Sequence, residues 1–295
     1  MMKKNIKLNE LDIVLYHKGC QDGITSAYIL KYKCLKIHNE IETMGISFNG
    51  DEVDLNKMKD KQIIIVDILP KNIELIKNVS KKLYVLDHHV SSQKKAEKLD
   101  YCYFNMNLSG CGLAFEYSFG NVEMPKFIKC IQTRDLWTWN EPNAEDFTTG
   151  LFESSYTFID FVELFEDINF KKFDKIKDIG KIFNTKKTNT MKYYLSQSIV
   201  EDVKIKNYNN KTYKIIKYNC PNDLKSDFGN YCMKNEDIDF CVLWTFDHKI
   251  NKYIYSLRST NEKEDTSIIA TFFNGGGHRN ASGFEHFEHP NILFC

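Results

Sequence analysis

The chain has 295 residues, 42% of them apolar, enough for two domains with a sizeable core. Its 40 basic and 40 acidic side chains cancel to a formal net charge of zero. That balance excludes a protein that coats long duplexes by charge alone, while leaving room for a local basic cleft.

In chain order, Met1 to Leu11 is Lys- and Asn-rich and lacks the apolar stretch of a secretory signal. Ile13-Val14-Leu15-Tyr16 is a short apolar run that predicts a strand stopping at His17. Tyr16-His17-Lys18-Gly19-Cys20-Gln21-Asp22-Gly23 then reads as a Gly-containing loop presenting His17 and Asp22, with a helix from Ile24 to Lys33. Gln62-Ile63-Ile64-Ile65-Val66 is a second run, ending at Asp67, and Leu83-Tyr84-Val85-Leu86 a third, ending at Asp87-His88-His89. Continuous β-rich runs alternating with helices predict a parallel sheet buried on both faces. Pro125 to Thr133 predicts a helix, followed by Arg134-Asp135-Leu136-Trp137.

Residues 147–198 are polar, Lys/Asn-rich and helical in pattern, with Phe158, Phe161, Val162, Leu164 and Phe165 on one face. They are expected to form a helical connector between a catalytic domain, 1–146, and a smaller α/β domain, 199–295. Thr212 to Tyr218, Phe240 to Phe246 and Tyr253 to Leu257 are its predicted strands, Ser267 to Phe273 its helix, and Gly275-Gly276-Gly277-His278 a glycine-rich turn. The nine cysteines include no CxxC pair, which argues against structural zinc and a disulfide framework and fits a reducing cytosol. No run of about 18 apolar residues predicts a membrane span.

Three strands each end directly in a polar residue, and open α/β sheets bind ligands at the carboxyl ends of their strands. An Asp after one strand is commonly a turn cap. Three strands delivering His17, Asp67 and Asp87 to one sheet edge, with His88 and His89 adjacent, point to a site instead. Arg134 and Asp135 by themselves read first as a simple ion pair. Carboxylates and imidazoles together suit Mn²⁺, with Mg²⁺, Fe²⁺ or Co²⁺ as competitors. Several aspartates around one crevice repel one another unless a cation is present. Two metals sharing a carboxylate would relieve this and activate a water for in-line attack on phosphorus.

The order His17, Asp22, Asp67, Asp87-His88-His89, Asp135 resembles the DHH phosphoesterase superfamily. Gly275-Gly276-Gly277-His278-Arg279-Asn280-Ala281-Ser282-Gly283 looks like the GGGH motif of the DHHA1 domain, preceded by a similar segment holding Arg258, Ser259, Asp265 and Ser267. The resemblance covers nearly the whole chain. It implies that His17 and Asp67 hold one metal and Asp22, Asp67, His88 and Asp135 a second. It further implies that His89 serves the substrate phosphate as acid or donor and that Asp87 orients the histidines. The DHHA1 part would bind substrate through Arg258, Ser259, Gly275, Gly276, Gly277 and His278. One departure stands out: the family's first loop usually carries Asp-x-Asp, and the first of these is Cys20 here, a softer ligand if it is one.

Relatives of this architecture include nanoRNases, adenosine-bisphosphate phosphatases, cyclic-dinucleotide phosphodiesterases and long-strand exonucleases of the RecJ type. A compact two-domain chain with no added nucleic-acid or membrane domain fits a substrate of two to five nucleotides, and Arg134-Asp135-Leu136-Trp137 resembles the oligoribonuclease-like members. The expectation is thus a cytoplasmic Mn²⁺-dependent hydrolase of short oligonucleotides or small nucleotides. Trp137, Trp139 and Phe273 are candidates to stack a base, or simply to pack. Two other readings are a nucleotide-binding module that lost catalysis, favoured by Cys20, and an interaction scaffold, disfavoured by the GGGH turn. If the chain forms a homodimer, Phe152 to Phe165 is the stretch to examine.

Overall fold

Alternate residues of the apolar runs go to two different cores, and this fixes the first sheet. The structure, a computed structural model, describes residues 6–295; Met1 to Asn5, the start of the Lys- and Asn-rich segment, lie outside it. The chain divides into two compact units, Met1–Thr185 and Lys186–Cys295. In the first, β1 (Ile13–His17), α1 (Gln21–Lys36), β2 (Glu42–Ile46), α2 (Leu55–Met58), β3 (Gln62–Val66), α3 (Ile73–Val79), β4 (Lys82–Asp87), α4 (Gln93–Ala96) and β5 (Cys102–Phe104) follow in order. Five helices complete the series: α5 (Gly110–Phe119), α6 (Lys126–Asp135), α7 (Ala144–Glu153), α8 (Phe158–Phe165) and α9 (Lys171–Ser196).

The sheet is entirely parallel, in the order β2-β1-β3-β4-β5. Val14, Ile64, Val66, Tyr84 and Leu86 pack into one core with α1, α5 and α6. Ile13, Leu15, Ile63, Ile65, Leu83 and Val85 pack into another with Ile73 and Ile76 of α3. Every residue of β3 is buried, as expected of a central strand covered on both faces. After β2 the chain crosses over β1 to form β3, so the strand order reverses between β1 and β3. Such a switch point opens a crevice at the carboxyl ends of the two strands. Their register, Tyr16 beside Val66, puts His17 and Asp67 at the mouth of that crevice.

The 147–198 stretch is helical but contributes to both units. Phe147, Phe161, Leu164, Phe173 and Ile176 are part of the first unit's core, whereas Met191 belongs to a cluster of the second. The unit division at 185/186 falls within α9, not at 146/147 or 198/199. Thr157 and Asp160 form a reciprocal capping box that starts α8 and aims Phe161 and Leu164 inward. The apolar face of α8 is therefore largely spent within the unit, leaving Ile159 exposed, along with Phe152 at the end of α7.

The second unit holds β6 (Val200–Lys204), β7 (Thr212–Asn219), α10 (Lys225–Asn235), β8 (Phe240–Asp247), β9 (Lys252–Arg258), α11 (Thr266–Phe272), β10 (Gly276–His278), β11 (Ala281–His286) and α12 (Pro290–Leu293). Its sheet runs β10-β11-β9-β8-β7-β6 and is antiparallel apart from the β7–β8 pair. Phe228 and Cys232 of α10 pack on one face, and Ile269 and Ala270 of α11 on the other. Gly275 to His278 is not the turn its composition suggests. Residues 276–278 are an edge strand, and the reversal comes at Arg279-Asn280. β2, β5, β6, β10 and β11 have no counterpart among the predicted strands: segments such as Glu-Thr-Met-Gly-Ile, Val-Glu-Asp-Val-Lys and Ala-Ser-Gly-Phe-Glu-His lack the apolar runs that marked the predicted ones. No helix among the described residues is long and apolar enough to cross a membrane.

Candidate metal centre

The centre is assembled from strand ends and helix termini. His17 is the last residue of β1, and Asp67 follows β3 with a left-handed backbone, φ +63°. Asp tolerates that conformation better than most residues, and such strain persists where surrounding structure holds it. Here the Asp67 N–H donates to Leu86 O at 2.9 Å. The helix expected from Ile24 starts at Gln21, so Asp22 sits in the first turn of α1 and Cys20 is its N-cap residue, not a mid-loop position. Asp135 likewise ends α6 rather than following it.

Asp22, Asp67 and His88 are almost wholly buried, and the Asp135 side chain is 23% exposed. His88 Nε2 is the hub: it lies 3.0 Å from Asp67 Oδ1, 3.4 Å from Asp135 Oδ2 and 3.9 Å from Asp22 Oδ2. His17 Nδ1 is 3.4 Å from Asp67 Oδ2. Three donor groups result, each with ligand atoms mutually within 4.8 Å: His17, Cys20 and Asp67; Asp67, His88 and His89; Asp22, His88 and Asp135. Asp67 and His88 each belong to two of them.

The residue types and placement fit a divalent cation. Asp22 Oδ2 is buried without a hydrogen-bond partner, and Asp67 Oδ2 and His17 Nδ1 are buried with no partner beyond each other. Unsatisfied buried carboxylate oxygens are costly, and a cation is the natural complement to several that converge. The opposite oxygen of Asp22 is held: Oδ1 accepts from Ser109 Oγ at 2.7 Å and from the Cys111 N–H at 3.0 Å. Asp87 is different, because both its oxygens are occupied. Oδ1 accepts from the His88 N–H at 2.8 Å and lies 2.8 Å from His89 Nδ1, and Oδ2 accepts from the Ser92 hydroxyl. Asp87 thus orients His89 and the turn, leaving His89 Nε2 for other work.

Sequence reasoning overlooked Ser92, Ser109, Gly110 and Cys111. Ser109 caps α5, and a Ser directly before an apolar helical run was the available signal. Gly110 lies against the carboxylates: a Cβ there would fall 2.6 Å from Asp67 Cβ and 2.8 Å from Asp22 Oδ2.

In the metal-free protein the charges crowd. Burial, then Asp67 and Asp135, push the Asp22 carboxyl up to about 8. Burial also raises Asp67, but the His17 and His88 imidazoles more than reverse it, and the net direction is down. Burial raises Asp135 against the pull of His88. Burial lowers His88, yet Asp67, Asp22 and Asp135 carry it upward overall. The bond to Asp87 lifts His89 to about 9. Burial, with Asp67 and Asp22, pushes the Cys20 thiol well up.

A pH dependence follows from Asp22. Below about 8 the folded metal-free protein keeps its proton, whereas a cation requires the carboxylate. Cation binding is expected to release about one proton at pH 7 from this group, and to tighten as pH rises towards 8. Because the folded pKa is raised above the 3.8 of a free Asp, the stability this group contributes to the metal-free fold is fully present below 3.8, declines as pH rises between 3.8 and about 8, and is gone above that. Calorimetry with Mn²⁺ in two buffers of different ionisation heat counts the protons; zero release at pH 7 would contradict the raised carboxyl.

The predicted substrate-binding residues lie in the second unit. Cross-strand register aligns Arg258, Ala281 and His278 in one row across β9, β11 and β10, so all three project from the same face. Arg258 Nη2 donates to Ser226 Oγ at 2.7 Å and Nη1 to Leu257 O at 2.8 Å, and no carboxylate pairs with it among the described residues. Lys225, absent from the sequence reading, is buried nearby and donates to Thr245 Oγ1 and Ile254 O; burial lowers it to about 8. Gly276 and Gly277 leave the edge strand open, with Gly277 at φ +137° and no room for a Cβ beside Ala281 O. Ser259 is spent inside the hairpin, its N–H donating to Asn280 O at 3.1 Å and its hydroxyl reaching Arg279 O. Gly275 serves close packing against Gly283 O and Phe284.

Comparisons with known proteins agree with this fold. The family model described as DHH family, N-terminal domain, matches residues 13–133. An uncharacterized protein, R106, of Acanthamoeba polyphaga mimivirus is 35% identical over 292 residues, covering 93% of this chain and 67% of that protein. The pGpG-specific phosphodiesterase PggH of Vibrio cholerae superposes with a TM-score of 0.53 at 11% identity, over 93% of this chain and 92% of that one. An exopolyphosphatase-related protein of Bacteroides fragilis gives 0.51 at 16% identity, over 97% and 89%. At those identities the two solved structures establish likeness of fold.

Proposed function

Because the chain belongs to the DHH family, whose members are phosphoesterases, we propose that it is a metal-dependent hydrolase of phosphate esters in short oligonucleotides or small nucleotides. The observation that carries the reading is the convergence of Asp22, Asp67, His17 and His88 at the sheet's switch point, with Asp22 Oδ2 buried and without a hydrogen-bond partner and Asp67 Oδ2 buried with only the His17 imidazole beside it. Divalent cations bound there, Mn²⁺ foremost, would activate a water and polarise the phosphoryl group. Asp67 stands where it can serve two cations, with His17 on one side and His88 on the other. Ser109 and the Cys111 N–H lock Asp22 so that its free oxygen faces the centre.

His89 is held by Asp87 through Nδ1, and Asp87 by Ser92. With its pKa raised to about 9, His89 is protonated at neutral pH in the metal-free protein and suits donation of a proton or hydrogen bond from Nε2 to a leaving oxygen. The Arg258–His278 row, with unpaired positive charge on Arg258, supports phosphate binding by the second unit.

A nucleotide is favoured over a purely inorganic substrate by Trp137 and Phe152. Each is about 70% exposed, and both rim a cavity of about 360 Å³ that also reaches Cys20, Asp22 and Asp135. Exposed aromatics beside a phosphate-cleaving centre supply base stacking worth about 1–3 kcal/mol. Trp137→Ala is expected to raise KM for nucleotide substrates about 10-fold with kcat little changed. An unchanged KM across all nucleotides would remove the stacking role.

The test of the reaction is hydrolysis of a panel with Mn²⁺ and with chelator. It holds a linear dinucleotide, a pentanucleotide, a long single strand, adenosine bisphosphate, a cyclic dinucleotide and tripolyphosphate. The shared fold with a pGpG-specific enzyme is the reason to begin with the linear dinucleotide. Chelator-sensitive cleavage of the short nucleotides is the expected result. No cleavage by folded, metal-loaded protein would leave a nucleotide-binding module instead.

A further inference from the structure

The donor groups of the centre are chemically unequal. Asp22, His88 and Asp135 offer oxygen and nitrogen only, and so do Asp67, His88 and His89. His17, Cys20 and Asp67 include a thiol. Oxygen-rich sets suit Mn²⁺ and Mg²⁺, whereas a thiolate draws zinc, cobalt or ferrous iron.

Cys20 is not placed like a packing residue. Cys34, Cys111, Cys130, Cys220, Cys232 and Cys241 are buried in apolar clusters, but Cys20 belongs to none of these clusters and lines the cavity beside Asp22. Its companions in the donor group are Asp67 and His17, whose Oδ2 and Nδ1 are buried 3.4 Å apart with no partner beyond each other.

We propose that the two sides of the centre select different metals, with Cys20 Sγ, His17 and Asp67 holding a thiophilic cation and the Asp22–His88–Asp135 side holding Mn²⁺ or Mg²⁺. Ligation replaces the S–H bond with a sulfur–metal bond, and the proton passes to solvent. Zinc or cobalt on the Cys20 side would share Asp67 with the harder ion. The inference rests on the metal-dependent reading of the site but makes no use of its substrate.

The experiment is titration of the metal-free full chain with Co²⁺ alone, followed by absorbance, with bound cobalt measured by equilibrium dialysis. Cobalt–thiolate ligation gives an intense near-ultraviolet charge-transfer band that oxygen and nitrogen ligands lack. Wild type is expected to show the band on its first equivalent, and zinc to abolish it. Cys20→Ser is expected to lose the band and to weaken zinc binding at least about 10-fold. Cys20→Asp is expected to lose the band while binding Mn²⁺ more tightly than wild type. Circular dichroism and thermal melting establish that both variants fold. Cobalt bound without the band, or a band and zinc affinity unchanged in Cys20→Ser, overturns the inference. A band in a protein that cleaves no phosphate ester would leave the inference standing and remove the proposed function; cleavage without the band would do the reverse.

Discussion

Asp67→Asn is expected to lower phosphate-ester hydrolysis by about 10³-fold or more, equivalent to about 4 kcal/mol of lost transition-state stabilisation. Asp67 belongs to two of the three donor groups, so losing its charge weakens both sides of the centre together. Asn is the informative replacement. It keeps the shape, and it tolerates the left-handed backbone at φ +63°, whereas Ala would add strain of about 1 kcal/mol. It also keeps one oxygen able to face His88. The variant should therefore fold, with a melting temperature close to that of the metal-free wild type. Mn²⁺ should no longer raise that temperature. Turnover within a few-fold of wild type would show that Asp67 is not shared between cations, and the two-metal reading would fall.

Gly110→Ala is the second large effect, and it touches no ligand atom by chemistry. The added methyl would fall 2.6 Å from Asp67 Cβ and 2.8 Å from both Asp22 Oδ2 and Asp67 Oδ1. These neighbours cannot simply swing aside. Asp22 is tied to Ser109 and Cys111, and Asp67 is tied through its N–H to β4. Both carboxylates must shift, and a displacement of about 1 Å in such a site costs on the order of 10²-fold in rate. The helix itself should tolerate the change, since Ala is a better helix former than Gly by about 1 kcal/mol. The expected result is a folded protein with weakened metal affinity and about 10²-fold lower turnover. Gly112→Ala, two residues on, is the control: its methyl first meets the flexible end of the Gln132 amide. Equal losses in the two variants would mean that α5 responds as a whole, not that Gly110 makes room for carboxylates.

Much of the centre was legible because its residues sit at the ends of strands with unmistakable composition. A run such as Gln62-Ile63-Ile64-Ile65-Val66 has one stable use, a strand covered on both faces, and the polar residue after it must emerge at the sheet's edge. That reasoning reaches His17, Asp67 and Asp87-His88-His89 without coordinates. It does not reach Asp135, which by itself reads first as a simple ion pair with Arg134. It also places Asp22 in a loop, because Gln21-Asp22-Gly23 carries polar and glycine residues that periodicity does not count as helix.

The supporting residues were illegible for a different reason. Ser109 and Cys111 are separated from Asp22 by 87 and 89 positions and meet it only through the packing of α5 beside α1. In the second unit, three glycines before His278 suggest a loop by composition, yet pairing with β11 makes residues 276–278 an edge strand. Lys225 reads as an ordinary surface lysine until the sheet covers it. By itself the sequence determined the parallel sheet, the polar residues at its strand ends and the family to which the chain belongs, because local composition and order suffice for these. Only the tertiary structure decided that β1 and β3 flank the switch point, that Gly110 clears space for two carboxylates and that Cys20 shares a donor group with His17 and Asp67. Those are distances between residues far apart in the chain, and no local pattern encodes them.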